Sequence, residues 1–404
     1  MTSLSDHAGT SASPGLGAAS DAEAAALAGL PAVWLRDSCC CAICRDARTG
    51  QRLVSITDQP EQVWMAAVSV GADSVTVVFG PDGHQSVYPR SWLADQQSAP
   101  EDARNEDAKR LWAASDHASR VPQASWPLYL ADDAHRAECL DKIMRAGFVL
   151  LRDVPPEPGT VLTVAESMGF VRETNYGRLF DVRVEATPSN LAFTALPIAP
   201  HTDNPYRDPV PTVQLLHCLT SAVAGGDSGL VDGFLAAGIL RAEDPAAFAV
   251  LTGSAVTFTY CDPTVELTAT RPMIGLDPRG RIREVRFNNR SMQPLRPSPG
   301  ERPSDAADRA VAFYAAYRAF AAIVARPDLM LKFRLEEGDC VVFDNTRILH
   351  ARTAFAATGN RHLQGCYCDL DGVASTLAVL RRRHAADRGS GDGSAHGGGV
   401  RDGN

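Results

Sequence analysis

The sequence predicts a mainly β chain with inserted helices, an α+β protein in which a small β module precedes a double-stranded β-helix, or jelly roll. Three observations predict it. Short β-rich runs crowd around the turn Gly80-Pro81-Asp82-Gly83, widely spaced apolar strands recur from Phe148 onward, and one long amphipathic helical pattern, Asp305 to Ala325, interrupts those strands instead of alternating with them. A length of 404 residues with 45% hydrophobic content suits two or three globular domains.

Taken in order, residues 1–20 are rich in Ser, Ala and Gly and read as a disordered N-terminus. Residues 21–115 form the small β domain, with strands expected over Gln62–Val68, Ser74–Phe79 and His84–Tyr88 and a strong turn between the last two. The charged, Ala-rich stretch between Gln97 and Ser125 fits an exposed helical connection. The jelly roll then occupies 116–384. It opens with a helix over Ala134–Arg145, the strand Phe148–Leu151 and a helix near Val161–Met168, and continues with strands over Thr212–Leu219, Ala255–Tyr260, Ile282–Phe287, Leu329–Leu335 and Cys340–Phe343. Residues 385–404, with their Gly-Ser repeats, read as a disordered tail.

The charge balance excludes some functions. A net charge of −9, with no Lys/Arg run interleaved with aromatics, argues against a nucleic-acid partner, and Arg381-Arg382-Arg383 reads as the end of a solvated helix. No apolar run of about 18 residues predicts a membrane span, and the N-terminus lacks the basic and apolar regions of a signal peptide. The chain therefore reads as cytoplasmic, where its ten cysteines should be thiols or metal ligands.

Two clusters carry metal chemistry. Cys39, Cys41 and Cys44, within Cys39-Cys40-Cys41-Ala42-Ile43-Cys44, can join His84 at the hairpin exit in a tetrahedral Cys3His zinc site, with Cys40 the spare thiol. The alternative is an incidental or reactive thiol cluster. Further on, His201-Thr202-Asp203 and a lone His350 offer two imidazoles and one carboxylate. That set can fill one face of an octahedral iron(II), leaving the other open for a cosubstrate and dioxygen. His201 and Asp203 alternate on a strand end and so share a face, while His350 arrives from a distant strand. An HxD tripeptide by itself is more often a simple hydrogen-bonded pair.

The chain resembles the γ-butyrobetaine hydroxylase family of iron(II)/2-oxoglutarate dioxygenases related to taurine dioxygenase. Its first domain matches through Trp34-Leu35-Arg36-Asp37-Ser38 leading into the cysteine run, and through Asp82-Gly83-His84. The second domain matches through His201-Thr202-Asp203, Val213-Gln214-Leu215-Leu216-His217-Cys218, Gly225-Gly226-Asp227-Ser228, Val231-Asp232-Gly233-Phe234, Phe287-Asn288-Asn289, Phe343-Asp344-Asn345 with His350, and Arg361-His362-Leu363. The resemblance implies a zinc module, a jelly roll holding iron on His201, Asp203 and His350, and hydroxylation of a carbon of a small trimethylammonium compound with 2-oxoglutarate and dioxygen as cosubstrates.

It also implies roles for other residues. Arg361 would take the far carboxylate of 2-oxoglutarate, its fork suiting that group better than Lys, with Ser228 beside it; the alternatives are a surface ion pair and a turn residue. Tyr176, Phe180, Phe193 and Tyr367 would cage the cation. Phe180 and Phe193 stand where a Trp and a Tyr are expected, and without the resemblance both read as core. Asn190 and one of Asn288 and Asn289 would hold the anionic end. Asn204 and Arg290 depart from butyrobetaine enzymes, adding an amide and a guanidinium that suit a phosphonate, as in the similar 2-trimethylaminoethylphosphonate hydroxylases. For Arg290 the alternative is a solvent-facing or acid-paired side chain. The favoured substrate on this reading is 2-trimethylaminoethylphosphonate. Its alternatives are γ-butyrobetaine and, more distantly, a zinc hydrolase or a non-catalytic jelly-roll binding protein. Family analogy implies a homodimer.

Overall fold

The computed structural model describes residues 29–97, 109–117, 121–184, 194–222, 224–297, 299–356 and 360–391. The chain divides into two compact units, Met1–Asp102 and Ala103–Asn404. In the first, strands β1 (Trp64–Val70), β2 (Ser74–Gly80) and β3 (Gln85–Pro89) form an antiparallel meander. Alternation along β2 buries Val75, Val77 and Phe79 on one face, where they meet Leu35, Tyr88 and Leu93. Leu35 comes from the short helix Ala32–Asp37, whose C-terminal end leads into the cysteine run. The Tyr88 hydroxyl ties that helix to the sheet by donating to the Leu35 carbonyl.

The second unit is built on two facing sheets. Its strands are β4 (Gln123–Ser125), β5 (Phe148–Arg152), β6 (Phe180–Val182), β7 (Ile198–His201), β8 (Val213–Ala222), β9 (Ser228–Asp232), β10 (Ala255–Cys261), β11 (Glu266–Pro272), β12 (Ile274–Leu276), β13 (Ile282–Val285), β14 (Met330–Phe333), β15 (Cys340–Asp344), β16 (Ile348–Arg352) and β17 (Asn360–Cys368). The larger sheet runs β4-β5-β15-β8-β17-β6 and the smaller β14-β9-β16-β7. Alternation assigns each residue to a layer. Phe148, Leu150, Val341 and Phe343 of the larger sheet meet Leu230 and Ile348 of the smaller one between the sheets. Their neighbours Val149, Leu151, Cys340 and Val342 face outward onto the helices Asp133–Ala146, Thr160–Met168 and Leu370–Gly391. On the far side Val231 and Leu349 pack against Phe234, Phe313 and Phe320 of the helices Gly233–Glu243 and Pro303–Val324. This is the jelly-roll architecture expected, with both sheets covered.

A buried ion pair fixes the smaller sheet. Arg347 donates to both carboxylate oxygens of Asp232 at 3.1 and 2.8 Å and to the carbonyls of Arg145 and Arg110. Asp232 also accepts from Trp112 N and caps the helix Gly233–Glu243 through Phe234 N and Leu235 N. A charge pair so fully hydrogen-bonded avoids the cost of a buried unpaired ion.

The structure corrects several expectations. Residues 98–108, part of the expected helical connection, lie outside those described, but Gln123–Ser125 is strand β4, paired parallel with β5. The boundary expected at 115 falls earlier, because Trp112 is a core residue of the second unit and donates from its indole to Ala146 O at 2.7 Å. The last helix runs to Gly391, past the point where a disordered tail is expected. Among the described residues no helix is long and apolar enough to cross a membrane.

Candidate active site and metal centres

His201 is the last residue of β7 and His350 the middle of β16. The two strands pair antiparallel with His201 directly opposite His350, so one register brings both imidazoles together, their centroids 4.1 Å apart. Asp203 completes the group: its Oδ1 is 3.3 Å from His201 Nε2 and its Oδ2 3.8 Å from His350 Nε2. The three ligand atoms lie within 4.8 Å of one another. Bonds of about 2.1 Å meeting at right angles on one metal span edges of about 3 Å, so the spacing fits a facial ligand set.

The surroundings prepare each ligand. His201 Nδ1 donates to the Ala199 carbonyl at 2.9 Å, which leaves Nε2 with its lone pair. Burial, with His201 alongside, pushes His350 down to about 3, so its ring is neutral and able to coordinate. Burial by itself would raise the Asp203 carboxyl, but the imidazoles and the Arg290 guanidinium reverse this and hold it well below the usual carboxylate range. Gln214 Nε2 and the Tyr367 hydroxyl both donate to Asp203 Oδ2, at 2.9 and 3.1 Å. The Asn345 amide bridges Asp203 N and O at 2.8 and 3.0 Å. The neutral His350 ring, the His201 imidazole and an ionised, oriented carboxylate make a donor set that suits iron(II).

The triad opens into a cavity of about 650 Å³. Tyr176, Phe180, Tyr367, Asn204, Asn288, Arg290, Ser228 and Arg361 line it together with the three ligands. Phe180 lies across the edge of the larger sheet opposite Gly365, where any Cβ would collide with its ring. A glycine there lets the phenyl ring stack toward Tyr367, with centroids 5.3 Å apart. Asn190 and Phe193 lie outside the described residues. Of the two adjacent asparagines, Asn288 lines the cavity and Asn289 does not; the Asn288 amide holds backbone, donating to Thr202 O and accepting from Arg290 N. Sequence reasoning missed Tyr206, Tyr260, Gln214 and Arg352, which also line the cavity. Only Gln214 carried a signal, standing in one of the family words.

Arg361, on β17, is buried and faces the cavity, and burial lowers its pKa. Among the described residues no carboxylate lies within ion-pair distance of it; its guanidinium donates to Gly226 O at 3.4 Å and lies over the Phe355 ring. Gly225 and Gly226 both take left-handed φ, and a Cβ on Gly226 would sit 3.0 Å from Arg361 Nε. The two glycines thus let the chain pass against the guanidinium and turn into Ser228 at the start of β9. A buried cation without a protein anion, at the wall of a cavity, suits an anionic ligand.

In the first unit His84 Nε2 lies 3.3, 3.7 and 3.6 Å from the sulfurs of Cys39, Cys41 and Cys44. Tetrahedral zinc, with bonds of about 2.3 Å to sulfur and about 2.0 Å to nitrogen, sets such edges near ~3.6 Å. Cys40 is exposed and turned away, its thiol directed at Ser38 O. Burial pushes Cys44 up to about 11, opposed by Arg36 and aided by the neighbouring thiols. Arg36 links both halves of the site, donating to Cys44 Sγ at 3.4 Å and to Asp82 Oδ2 at 3.2 Å.

A jelly roll carrying a His-Asp-His facial triad defines a non-haem iron oxygenase. The profile of the taurine catabolism dioxygenase TauD, TfdA family matches residues 107–367, and that of the γ-butyrobetaine hydroxylase-like N-terminal domain matches residues 22–94. The γ-butyrobetaine dioxygenase of Pseudomonas sp. (strain AK-1) is 38% identical over 360 residues, covering 87% of this chain and 90% of that protein. The human γ-butyrobetaine dioxygenase is 32% identical over 87% and 91% of the two chains. The trimethyllysine dioxygenase of Meyerozyma guilliermondii is 30% identical over 86% and 89%. The chain belongs to the TauD, TfdA family and is an iron(II)- and 2-oxoglutarate-dependent dioxygenase.

Proposed function

We propose that this dioxygenase hydroxylates a carbon of a small trimethylammonium zwitterion. The observation that carries the reading is the aromatic wall of Tyr176, Phe180 and Tyr367 beside the triad. A quaternary ammonium has no N–H to donate, so aromatic faces are what can recognise it. Iron held by His201, Asp203 and His350 would supply the oxidation, in which 2-oxoglutarate, dioxygen and the substrate C–H give succinate, carbon dioxide and the hydroxylated substrate. Arg361, with Ser228, holds the far carboxylate of 2-oxoglutarate. The aromatic wall and the polar group of Asn204 and Arg290 fix the substrate between them, so that one C–H bond is presented and others are kept away. Cys39, Cys41, Cys44 and His84 hold a structural zinc.

The names of the relatives favour γ-butyrobetaine as substrate, reversing the order that the sequence gives to the two candidates. A specific observation supports the second reading, 2-trimethylaminoethylphosphonate. Arg290 lines the cavity, and among the described residues no acid is in salt-bridge contact with it, its charge reaching Asp203 from a distance. A guanidinium there adds charge and fork geometry for an anion richer in acceptors than a carboxylate. Succinate formation coupled to product, measured with γ-butyrobetaine, trimethyllysine and the phosphonate, tests both readings. For γ-butyrobetaine as the natural substrate, wild-type turnover is fastest with it and Arg290→Ala changes its KM by less than about threefold. If the phosphonate is the substrate, Arg290→Ala raises the phosphonate KM by about tenfold, the scale of one hydrogen bond between charged groups. No turnover with any of the three would sink the substrate class.

A further inference from the structure

Tyr206 has no part in the scheme above, yet its hydroxyl stands at the centre of a hydrogen-bond chain in the cavity wall. It is 6% exposed and lies just past the iron ligand Asp203. Between them Asn204 takes a left-handed backbone, φ 55°, a conformation that Asn tolerates better than most residues. The loop is held from below by Arg286, which donates to Pro205 O at 2.8 Å and Arg207 O at 3.0 Å. From the side, the Tyr260 ring packs on Tyr206 with centroids 5.2 Å apart.

The direction of the chain follows from counting hydrogens. The Tyr206 hydroxyl donates to Asn204 Oδ1 at 2.8 Å. Its one hydrogen is then used, so the Tyr176 hydroxyl, 2.9 Å away, must donate to Tyr206. Asn204 is 3% exposed, and with Oδ1 occupied its Nδ2 is buried without a well-formed hydrogen bond among the described residues, the Tyr367 hydroxyl being close enough to interact, in a side chain that lines the cavity. A buried donor left unsatisfied is unfavourable, and a ligand acceptor would remove that cost.

We propose that Tyr206 is a positioning residue that decides which atom of Asn204 meets the substrate. By filling Oδ1 it presents Nδ2 as a donor to the anionic head. By taking the hydrogen of Tyr176 it also fixes that ring in the cation wall, so one hydroxyl sets the polarity at both ends of the substrate. The inference rests on the trimethylammonium-zwitterion reading and adds a residue to it.

Tyr206→Phe keeps the ring and its packing and removes only the hydroxyl. The expected result is a rise of about tenfold in KM for the trimethylammonium substrate, the scale of one net hydrogen bond. More 2-oxoglutarate is also consumed per product formed, while the KM for 2-oxoglutarate and the melting temperature stay at wild-type values. Because the anion-end effect of Tyr206 runs through Asn204, adding Tyr206→Phe to Asn204→Ala should worsen KM by only about threefold, the share that runs through Tyr176, a clearly non-additive cycle. Asn204→Asp, which replaces the donor with an acceptor, should bind substrate worse than Asn204→Ala. An unchanged KM and coupling ratio in Tyr206→Phe, an additive cycle, or an Asn204→Asp variant as good as wild type would each overturn the proposal while the substrate reading stands. A wild-type protein that turns over no trimethylammonium compound removes both, and does so before any variant is compared.

Discussion

The two metal clusters use the same construction to opposite ends. Each takes a short sequence word, Cys39 to Cys44 or His201 to Asp203, and completes it with one histidine from far along the chain, His84 or His350. The first converges four protein donors, a number that closes a tetrahedron. The second stops at three donors and leaves the rest of the coordination sphere facing a cavity of about 650 Å³. Donor count alone therefore separates a staple from a reaction centre. The cores differ in the same sense. Among the described residues the hydrophobic core of the first unit has six buried side chains, too few to hold it alone, whereas the second packs two sheets between layers of helices.

Stripping metal from each cluster should separate the two most strongly. Structural zinc supplies about 10 kcal/mol or more of folding free energy in small modules, so a strong chelator, or Cys41→Ser, should melt the first unit. Hydrogen exchange would then show protection lost over 64–89 and kept over β5, β8 and β15. Retained protection in β2 after proven zinc loss would erase the contrast. Next in size, Asp203→Ala should lower product formation about a thousandfold, some 4 kcal/mol, with an unchanged melting curve. A matching loss of stability would mean that the triad holds the fold as well. The smallest effect sharpens the view of the cavity. Gly365→Ala forces the Phe180 ring off β17 and should raise substrate KM about tenfold, the scale of a lost cation–π face, while leaving the KM for 2-oxoglutarate alone. Equal rises in both constants would indicate general distortion of the sheet.

What the sequence disclosed follows the same division. Strands β2, β5 and β15 are legible because their apolar residues run unbroken or alternate cleanly, and β8 because apolar residues dominate it despite Gln214 and His217. The strands that build the site, β9, β16 and β17, are not. Ser228, Asp232, His350, Arg352 and Arg361 point polar groups into a cavity or a buried pair, and each interrupts the apolar pattern by which strands are recognised. The metal ligands were legible from chemistry, as donor types at a useful spacing. Tyr206 and Tyr260 were not, since a tyrosine shows no sign of function until the fold brings its hydroxyl or ring against another group.

Trp112 has a practical consequence for cutting the chain. Its indole is wholly enclosed by Phe148 and its neighbours, and its backbone amide is one of the donors that satisfy Asp232. An excised oxygenase that starts at residue 116 would lose that side chain, open a hole the size of an indole and leave the Asp232–Arg347 pair short of partners. One that starts before Lys109 keeps the plug in place. The short run 109–113, which looks like linker, is in effect the first tether of the catalytic half, and any gene fusion or domain exchange in this protein should treat it as belonging there.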